Sequence, residues 1–437
     1  MIFSVDVLRA RKGDCLLLHF GTKKNPGLVV IDGGPAGVYG AHLEPRLAQI
    51  RKARKLENGM PLAIDLLMVS HMDDDHIRGI LDLTKAEIET IDALRPRSVD
   101  VLDLWHNSFD AIIGEEPKEL TAAVTAHVGP ASTGGSGLTD EGAASIQLES
   151  SEHPEVLRSG LAVLASIEQG FRLRGDAERL GYPTNAKFDG ELILARSNAE
   201  AIPLGRGLEL TVAGPMKPEV VSLRKKHVKW LKERKKKGKS PSAALAAYID
   251  KSVPNLSSLV VLAEAEGKRV LLTGDARGDK ILEGLELAGL LEQGGTMKVD
   301  VLKVPHHGSA NNLEDDFFER VVARHYIFSG NGQHGNPERE AFEMLLRARG
   351  KAAFVAHLTY PIDEIDGERE KDWERERERE QAKKKKKPGT VVRAKWSAKK
   401  HGLAALLEGG EMSQGQKVRI VGTKKPHVID LLVPFKG

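Results

Sequence analysis

Two imidazoles and three carboxylates crowd into one short stretch, Ser70-His71-Met72-Asp73-Asp74-Asp75-His76-Ile77-Arg78-Gly79. An apolar run over 63–69 precedes it, and the helically spaced Ile77, Ile80, Leu81 and Leu83 follow, so it reads as the turn from a buried strand into a helix. Burying so many ionisable groups without a partner is costly, and adjacent carboxylates repel one another. A divalent cation removes both difficulties, because it takes deprotonated ligands. His71, Asp73 and Asp75 alternate, so an extended loop turns all three the same way, and His76 joins them as the helix begins. Acids alone would read as helix caps. Two histidines among them have no such explanation, and the loop is assigned as a metal site.

More strand ends carry similar chemistry. Val270-Leu271-Leu272-Thr273-Gly274-Asp275 places an acid directly after a buried apolar run. Val301-Leu302-Lys303-Val304-Pro305-His306-His307-Gly308-Ser309 does the same with two histidines. Asn255 stands just before the strand expected at 256–263, and Asp32-Gly33-Gly34 closes the strand expected at 28–31. In open α/β sheets, functional groups gather at such ends. His106 and Asn107, after the strand expected at 99–104, are further candidates to reach the same cleft.

The elements that must position these groups follow from patterning. Residues 2–8, 15–20 and 28–31 read as strands of a meander, punctuated by Gly13-Asp14 and Asn25-Pro26-Gly27, with a helix over 41–54. From about 110 to 205, helical stretches alternate with Gly/Ser/Thr-rich linkers, as in an insertion covering one side of the core. A strand over 208–213 precedes a long basic helix over 218–239. Strands over 256–263 and 269–273 flank Glu266-Gly267, and further strands are expected at 299–304 and 325–328. Helices are expected at 279–290, 315–323 and 337–348. Strands alternating with helices after an antiparallel opening indicate an α/β protein with mixed sheets. In 360–389, opposite charges lie three apart but like charges four apart, which predicts a solvated or mobile segment before a small strand-rich C-terminus ending in 428–433. The expected organisation is a body over 1–350 and an extension over 351–437.

Composition sets the outer limits. The chain has 437 residues, 41% hydrophobic and 29% charged, with a net charge of +3. That is ordinary for a globular protein, and nucleic-acid binding would have to rest on local patches. No run is long enough for a membrane span, and the start has no signal-peptide core. The single cysteine, Cys15, excludes an internal disulfide and fits a reducing, cytoplasmic setting, with the thiol in the core.

Over about 1–350 the sequence resembles the metallo-β-lactamase-fold hydrolases, and specifically the soluble hydrolase domain of the ComEC-like competence-protein branch. The residues that carry this are Gly13-Asp14, Asp32-Gly33-Gly34, His71-x-Asp73-x-Asp75-His76, Asn255, Thr273-Gly274-Asp275 and Pro305-His306-His307-Gly308-Ser309. The resemblance implies an αββα sandwich with a dinuclear site at its edge. It places His71 and Asp73 on one ion, with Asn255 near it. It places Asp75, His76 and either His306 or His307 on the second, with Asp275 bridging. His306 is preferred as the ligand, since it comes first off the strand, and His307 and Ser309 as substrate contacts. Asp32 matches the acid that orients ligands from behind. Relatives often carry a histidine directly before Pro337; here Asn336 stands there, as a polar substrate contact, and His334 could replace that histidine as a phosphate contact or general acid.

Two divalent ions about 3.5–4 Å apart can activate a hydroxide and neutralise charge on a phosphoryl or carbonyl group. Asp73 adds a hard oxygen ligand, which favours Mn²⁺ while leaving Zn²⁺ open. The leading expectation is a phosphodiesterase, with nucleic acid (DNA favoured) as substrate. The stretch from Arg224 to Lys239, with ten Lys/Arg, one Glu and Trp230, would suit backbone phosphates. The alternatives are a hydrolase of a small ester, lactone, thioester or cyclic nucleotide, and a regulatory binding module with a vestigial site.

Overall fold

The computed structural model describes residues 1–108, 111–112, 154–221, 225 and 257–435. Asn255 and nearly all of the basic stretch 218–239 lie outside these residues, as does the first part of the insertion.

The opening meander forms as its patterning demands. Strands β1 (Ile2–Val7), β2 (Leu16–Gly21) and β3 (Pro26–Ile31) pair antiparallel in chain order. A π-turn (Tyr39–Leu43) and helix α1 (Glu44–Ala53) lead to β4 (Leu62–Ile64) and β5 (Leu66–Met68). The single strand expected at 63–69 is thus broken in two. Asp65 is the reason: its carboxylate accepts the Leu28 backbone N–H at 2.8 Å and pairs with Arg206. The loop 69–73 then gives way to α2 (Asp74–Asp92), followed by β6 (Val99–Val101), β7 (Leu104–Trp105) and α3 (Pro154–Leu180).

The second half builds a larger sheet from β8 (Ile202–Gly205), β9 (Leu208–Gly214), β10 (Val260–Ala265), β11 (Lys268–Leu272), β12 (Met297–Lys303), β13 (Val321–Phe328), β14 (Phe354–Leu358) and β15 (Gln416–Ile420). These lie side by side in sequence order, antiparallel from β8 to β11 and parallel from β11 to β15. Helices α4 (Gly278–Leu287), α5 (Arg339–Arg349) and α6 (Ile362–Lys386) connect or follow its strands. The last strand, β16 (His427–Asp430), returns to the first sheet, whose order is β16-β1-β2-β3-β5-β7. β4 and β6 form a small parallel pair of their own.

Strand alternation sorts the buried side chains into three cores. Phe3, Val5, Leu16, Leu18, Val29 and Ile31 meet Val261, Ala263, Val270, Leu272 and Val301 between the sheets. Leu17, Leu28 and Val30 face the other way, against Leu47, Ile50, Ile77, Ile80 and Leu173 of α1–α3. Leu262, Leu271 and Leu302 pack on Ile281, Leu285, Phe342 and Leu345 of α4 and α5. Helices therefore cover the outer face of each sheet. Cys15 is buried in the first-sheet helical core.

Two expectations change. The helix expected at 315–323 shrinks to one turn, Phe317–Arg320, because the β-branched pair Val321-Val322 opens β13. The segment 360–389, expected to be solvated or mobile and not a salt-bridged helix, contains the 25-residue helix α6. Pairs three apart, such as Lys371–Glu368 and Arg377–Glu374, support it, and Ile362, Ile365 and Arg369 anchor its first turns in the body.

Candidate metal centre

The site forms where strand ends of both sheets meet. β5 delivers the loop 69–73, and α2 begins at Asp74 with Asp73 in the N-cap position. Asp73 makes no capping hydrogen bond; one oxygen accepts from Ser166 Oγ of α3 at 2.9 Å and the other lies 3.6 Å from His71 Nε2. Capping therefore does not account for this acid. Asp74 turns aside to Gln169 Nε2, 3.0 Å away.

Close backbone approach brings the elements together. Gly33 and Gly79 lie so near that a Cβ on Gly79 would stand 2.0 Å from the Gly33 carbonyl oxygen. A Cβ on Gly13 would stand 1.8 Å from that of Asp75, so the turn after β1 can press against α2 only with glycine there.

From the second sheet come Asp275, after β11, and His306 and His307, after β12. Both histidines adopt left-handed backbone angles, with φ of 46° and 55°, which turns successive rings into the same cleft. Asp275 divides the cluster. Its Oδ2 lies 3.8 Å from His71 Nε2 and 3.6 Å from His306 Nε2. Its Oδ1 lies 3.3 Å from His76 Nε2 and 3.5 Å from His307 Nε2. Asp75 completes the second group, 3.7 Å from His307 Nε2 and 4.0 Å from His76 Nε2. The structure thus brings together His71, Asp73, Asp75, His76, Asp275, His306 and His307. His307, expected as a substrate contact, lies inside the cluster and is the more buried of the two histidines.

Behind the rings, carboxylates fix their orientation. Asp32, at φ 57°, accepts from the Ser70 backbone N–H and hydroxyl, both at 2.7 Å, and lies 2.9 Å from His76 Nδ1. Asp14 takes the same position behind His307, 3.3 Å from its Nδ1, while Ser329 donates to Asp14. Such outer partners set which ring nitrogen faces the centre.

The result is an unusual set of buried atoms. Nε2 of His71, His76 and His307 and Oδ1 of Asp275 are all buried without a hydrogen-bond partner. Four orphaned groups pointing at one another are costly unless a cation lies between them. The donor set, imidazole nitrogens and carboxylate oxygens only, suits a divalent metal ion. Two subsets could each hold one, since within each the ligand atoms all lie within 4.8 Å of one another: Asp14, His76, Asp275 and His307; and His71, Asp75 and His76.

Charge reinforces this. Burial alone would push the carboxyl groups up, but the histidines around them hold Asp75 and Asp275 well below the usual carboxylate range. Burial would likewise push the rings down, yet Asp275 and then Asp32 hold His76 well above its ordinary value. Asp275 and Asp14 likewise push His307 up to about 10. Without a metal, protons supply the positive charge.

Two participants were not singled out from sequence. Lys303, buried in β12, pairs with Asp14, donates to the Gly274 carbonyl at 3.1 Å and lies 3.9 Å from Asp275 Oδ1. Its visible signal was a charge at the end of the apolar run Val301-Leu302, and Asp14 was visible as a turn residue and as part of the Gly13-Asp14 motif.

The remaining candidates lie around the rim or elsewhere. His334, also left-handed at φ 58°, stands 3.4 Å from Lys12 Nζ, and burial followed by Lys12 holds it below its usual range. Ser309 Oγ donates to Glu338 at 3.5 Å and Asn336 Nδ2 to the His306 carbonyl at 3.4 Å, so both brace the 305–309 turn. Asn107 spends its amide on the backbone of Ile193, at 2.8 and 2.9 Å, and is an anchor rather than a cleft residue. His106 is not part of the metal-binding groups found among the described residues.

No protein-family model matches the chain. It is 30% identical over 100 residues to ComE operon protein 3 of Bacillus subtilis, covering 22% of this chain and 12% of that protein. It is 28% identical over 138 residues to human microtubule-associated protein 1A, 31% of this chain and 5% of that protein. The chain therefore spans only a small part of the curated relatives it matches. Among solved structures it is similar to a protein assigned as a metal-dependent hydrolase from Parabacteroides distasonis, with TM-score 0.30 and 9% identity, over 82% of this chain and 98% of the other. Among the described residues, no helix is long and apolar enough to cross a membrane.

Proposed function

We propose that the chain is a metal-dependent hydrolase of the metallo-β-lactamase fold, in its ComEC-like branch, that cleaves phosphodiester bonds, with DNA the favoured substrate. The observation that carries this reading is the convergence of four buried, unpartnered ligand atoms from His71, His76, His307 and Asp275. The two sheets with helices outside them, and the similarity to ComE operon protein 3, support the fold assignment.

In this reading the centre takes two divalent ions, Mn²⁺ or Zn²⁺. His71, Asp73, His306 and one Asp275 oxygen would hold the first, and Asp75, His76, His307 and the other Asp275 oxygen the second. Bound there, such a pair activates water and neutralises charge on a phosphoryl group. The chain's own groups do the rest. Asp32 and Asp14 keep the His76 and His307 rings aimed inward, and Lys303 balances Asp14. His334 stands beside Lys12, 3.4 Å from its Nζ, and is held below its usual range, so its ring accepts from the ammonium.

A second reading has one specific observation in its favour. Helix α3 reaches over the metal loop through Ser166–Asp73 and Gln169–Asp74, which narrows that side and would suit a small ester, lactone, thioester or cyclic nucleotide.

The test is elemental analysis of the purified chain, with end-labelled single- and double-stranded DNA and Mn²⁺. Wild type is expected to retain metal and cut DNA. Asp75→Ala and Asp275→Ala are expected to lose metal and at least about 10³-fold of the rate. Intact DNA at low salt beside turnover of small esters would move the assignment to the second reading. No bound metal and no turnover would leave a binding module with a vestigial site.

A further inference from the structure

Beside the opening of the cluster stand two basic groups that belong to neither half of it. The cluster itself is open at Asp73, Asp75 and His306, whose side chains are 26%, 23% and 28% exposed. Lys12 is tied to this opening by its own backbone. The next residue, Gly13, packs directly on the Asp75 carbonyl, and the Asp14 N–H donates to that carbonyl at 3.3 Å. The Lys12 ammonium acts electrostatically on Asp74 and on His334, and His334 in turn feels Asp75 and His307.

The partner side is equally well fixed. His334 sits in the turn 333–335, whose Gly335 carbonyl accepts from Arg369 Nε of α6 at 3.1 Å. Gly332 at the start of this turn lies against the Ile365 carbonyl, where a Cβ would come within 2.1 Å. Helix α6 thus holds the His334 ring beside Lys12. An ammonium has three donors. Among the described residues the only hydrogen bond of the Lys12 ammonium is to His334, and no carboxylate comes within ion-pairing distance. A cation with donors to spare, held at the lip of an acidic cluster, is matched by an anion that enters with the substrate.

We propose that Lys12, braced by His334, is the anion-reading group of this site. It takes a non-bridging oxygen of a phosphate, so that the centre selects an anionic phosphodiester over a neutral ester. The inference rests on the phosphodiesterase reading above and supplies its specificity element. Lysine suits this role, since it binds phosphate as a point charge with no demand for planar geometry.

The experiment uses the full chain and the variants Lys12→Gln, which removes the charge and leaves a polar side chain one atom shorter, and Lys12→Arg. Calorimetric titration with inorganic phosphate, independent of turnover, is expected to show binding about tenfold weaker in Lys12→Gln and largely restored in Lys12→Arg. With Mn²⁺, Lys12→Gln should raise KM for bis(4-nitrophenyl) phosphate by a similar factor with little change in kcat. Hydrolysis of 4-nitrophenyl acetate should stay within about twofold. Equal losses on both substrates with unchanged phosphate binding would overturn the proposal and make Lys12 a support for the Asp75 loop. Should wild type hydrolyse only the acetate, the phosphodiesterase reading falls. The phosphate titration then still decides Lys12: affinity that is undetectable in wild type, or equal in Lys12→Gln, rejects it.

Discussion

Lys303 has only 1% of its surface exposed, yet it carries a full charge between Asp14 and Asp275. Taking an ammonium out of water is tolerable only with close counter-charges, and removing one member of such a set leaves the others buried and unpaired. Lys303→Met, which keeps most of the volume, is therefore expected to cost about 3–5 kcal/mol of stability. Urea unfolding of the metal-free chain measures this, and Mn²⁺ should return part of the loss by supplying positive charge near Asp275. Unchanged stability would mean that the lysine does not hold these acids together. At this scale the metal loop was legible, because His71, Asp73, Asp75 and His76 are neighbours in the chain. The choice between His306 and His307 was not. Both rings enter the cluster, because two consecutive residues are left-handed and Asp14 arrives behind His307 from the other sheet.

Three histidines on three strands link the sheets. His325 Nδ1 of β13 lies 3.0 Å from His357 Nε2 of β14, whose Nδ1 lies 2.7 Å from His427 Nε2 of β16. Burial, with His427 and His325 as neighbours, pushes His357 down to about 2. Arg419 and Arg324 add positive charge around the row, while Asp300 and Asp6 oppose it weakly. In the unfolded chain this ring takes a proton near pH 6.5, but in the folded chain it does not until about 2. The unfolded state therefore binds more protons in that window. Its contribution is fully present above about pH 6.5 and is lost as pH falls, by about 1.4 kcal/mol per unit. Thermal melts between pH 7 and 5 should show wild type losing stability on acidification and His357→Gln losing distinctly less. Parallel curves would assign the acid sensitivity to other groups. Elements were legible where one period governed a whole segment, as in β1–β3 and α2. They were not where one residue broke the pattern, as Asp65 does between β4 and β5, or where outside contacts made a helix, as in α6. There Trp373 stacks on His401 and Glu380 holds Arg393, contacts that charge spacing within the helix could not disclose.

The residues after 350 are woven into the body of the molecule. β14 and β15 extend the second sheet, while β16 pairs with β1 at the edge of the first. Tyr360 accepts from the Arg11 backbone N–H at 2.9 Å, and α6 backs the His334 turn. A chain ending at residue 350 would leave β13 and β1 as bare edges, which invite aggregation. Expression of residues 1–350 is expected to give insoluble or aggregated protein by size-exclusion chromatography. A monomer with native-like circular dichroism would show that the first 350 residues fold alone. The sequence by itself determined the ligand types, the loop that carries four of them, and the alternating patterns that make strands, because each is a property of adjacent residues. Only the tertiary structure decided that Asp14 and Lys303 join that loop, and that His306 and His307 both face the centre. Those placements depend on two sheets packing through a shared core and on glycines that let backbones touch, and neither is encoded in any single stretch.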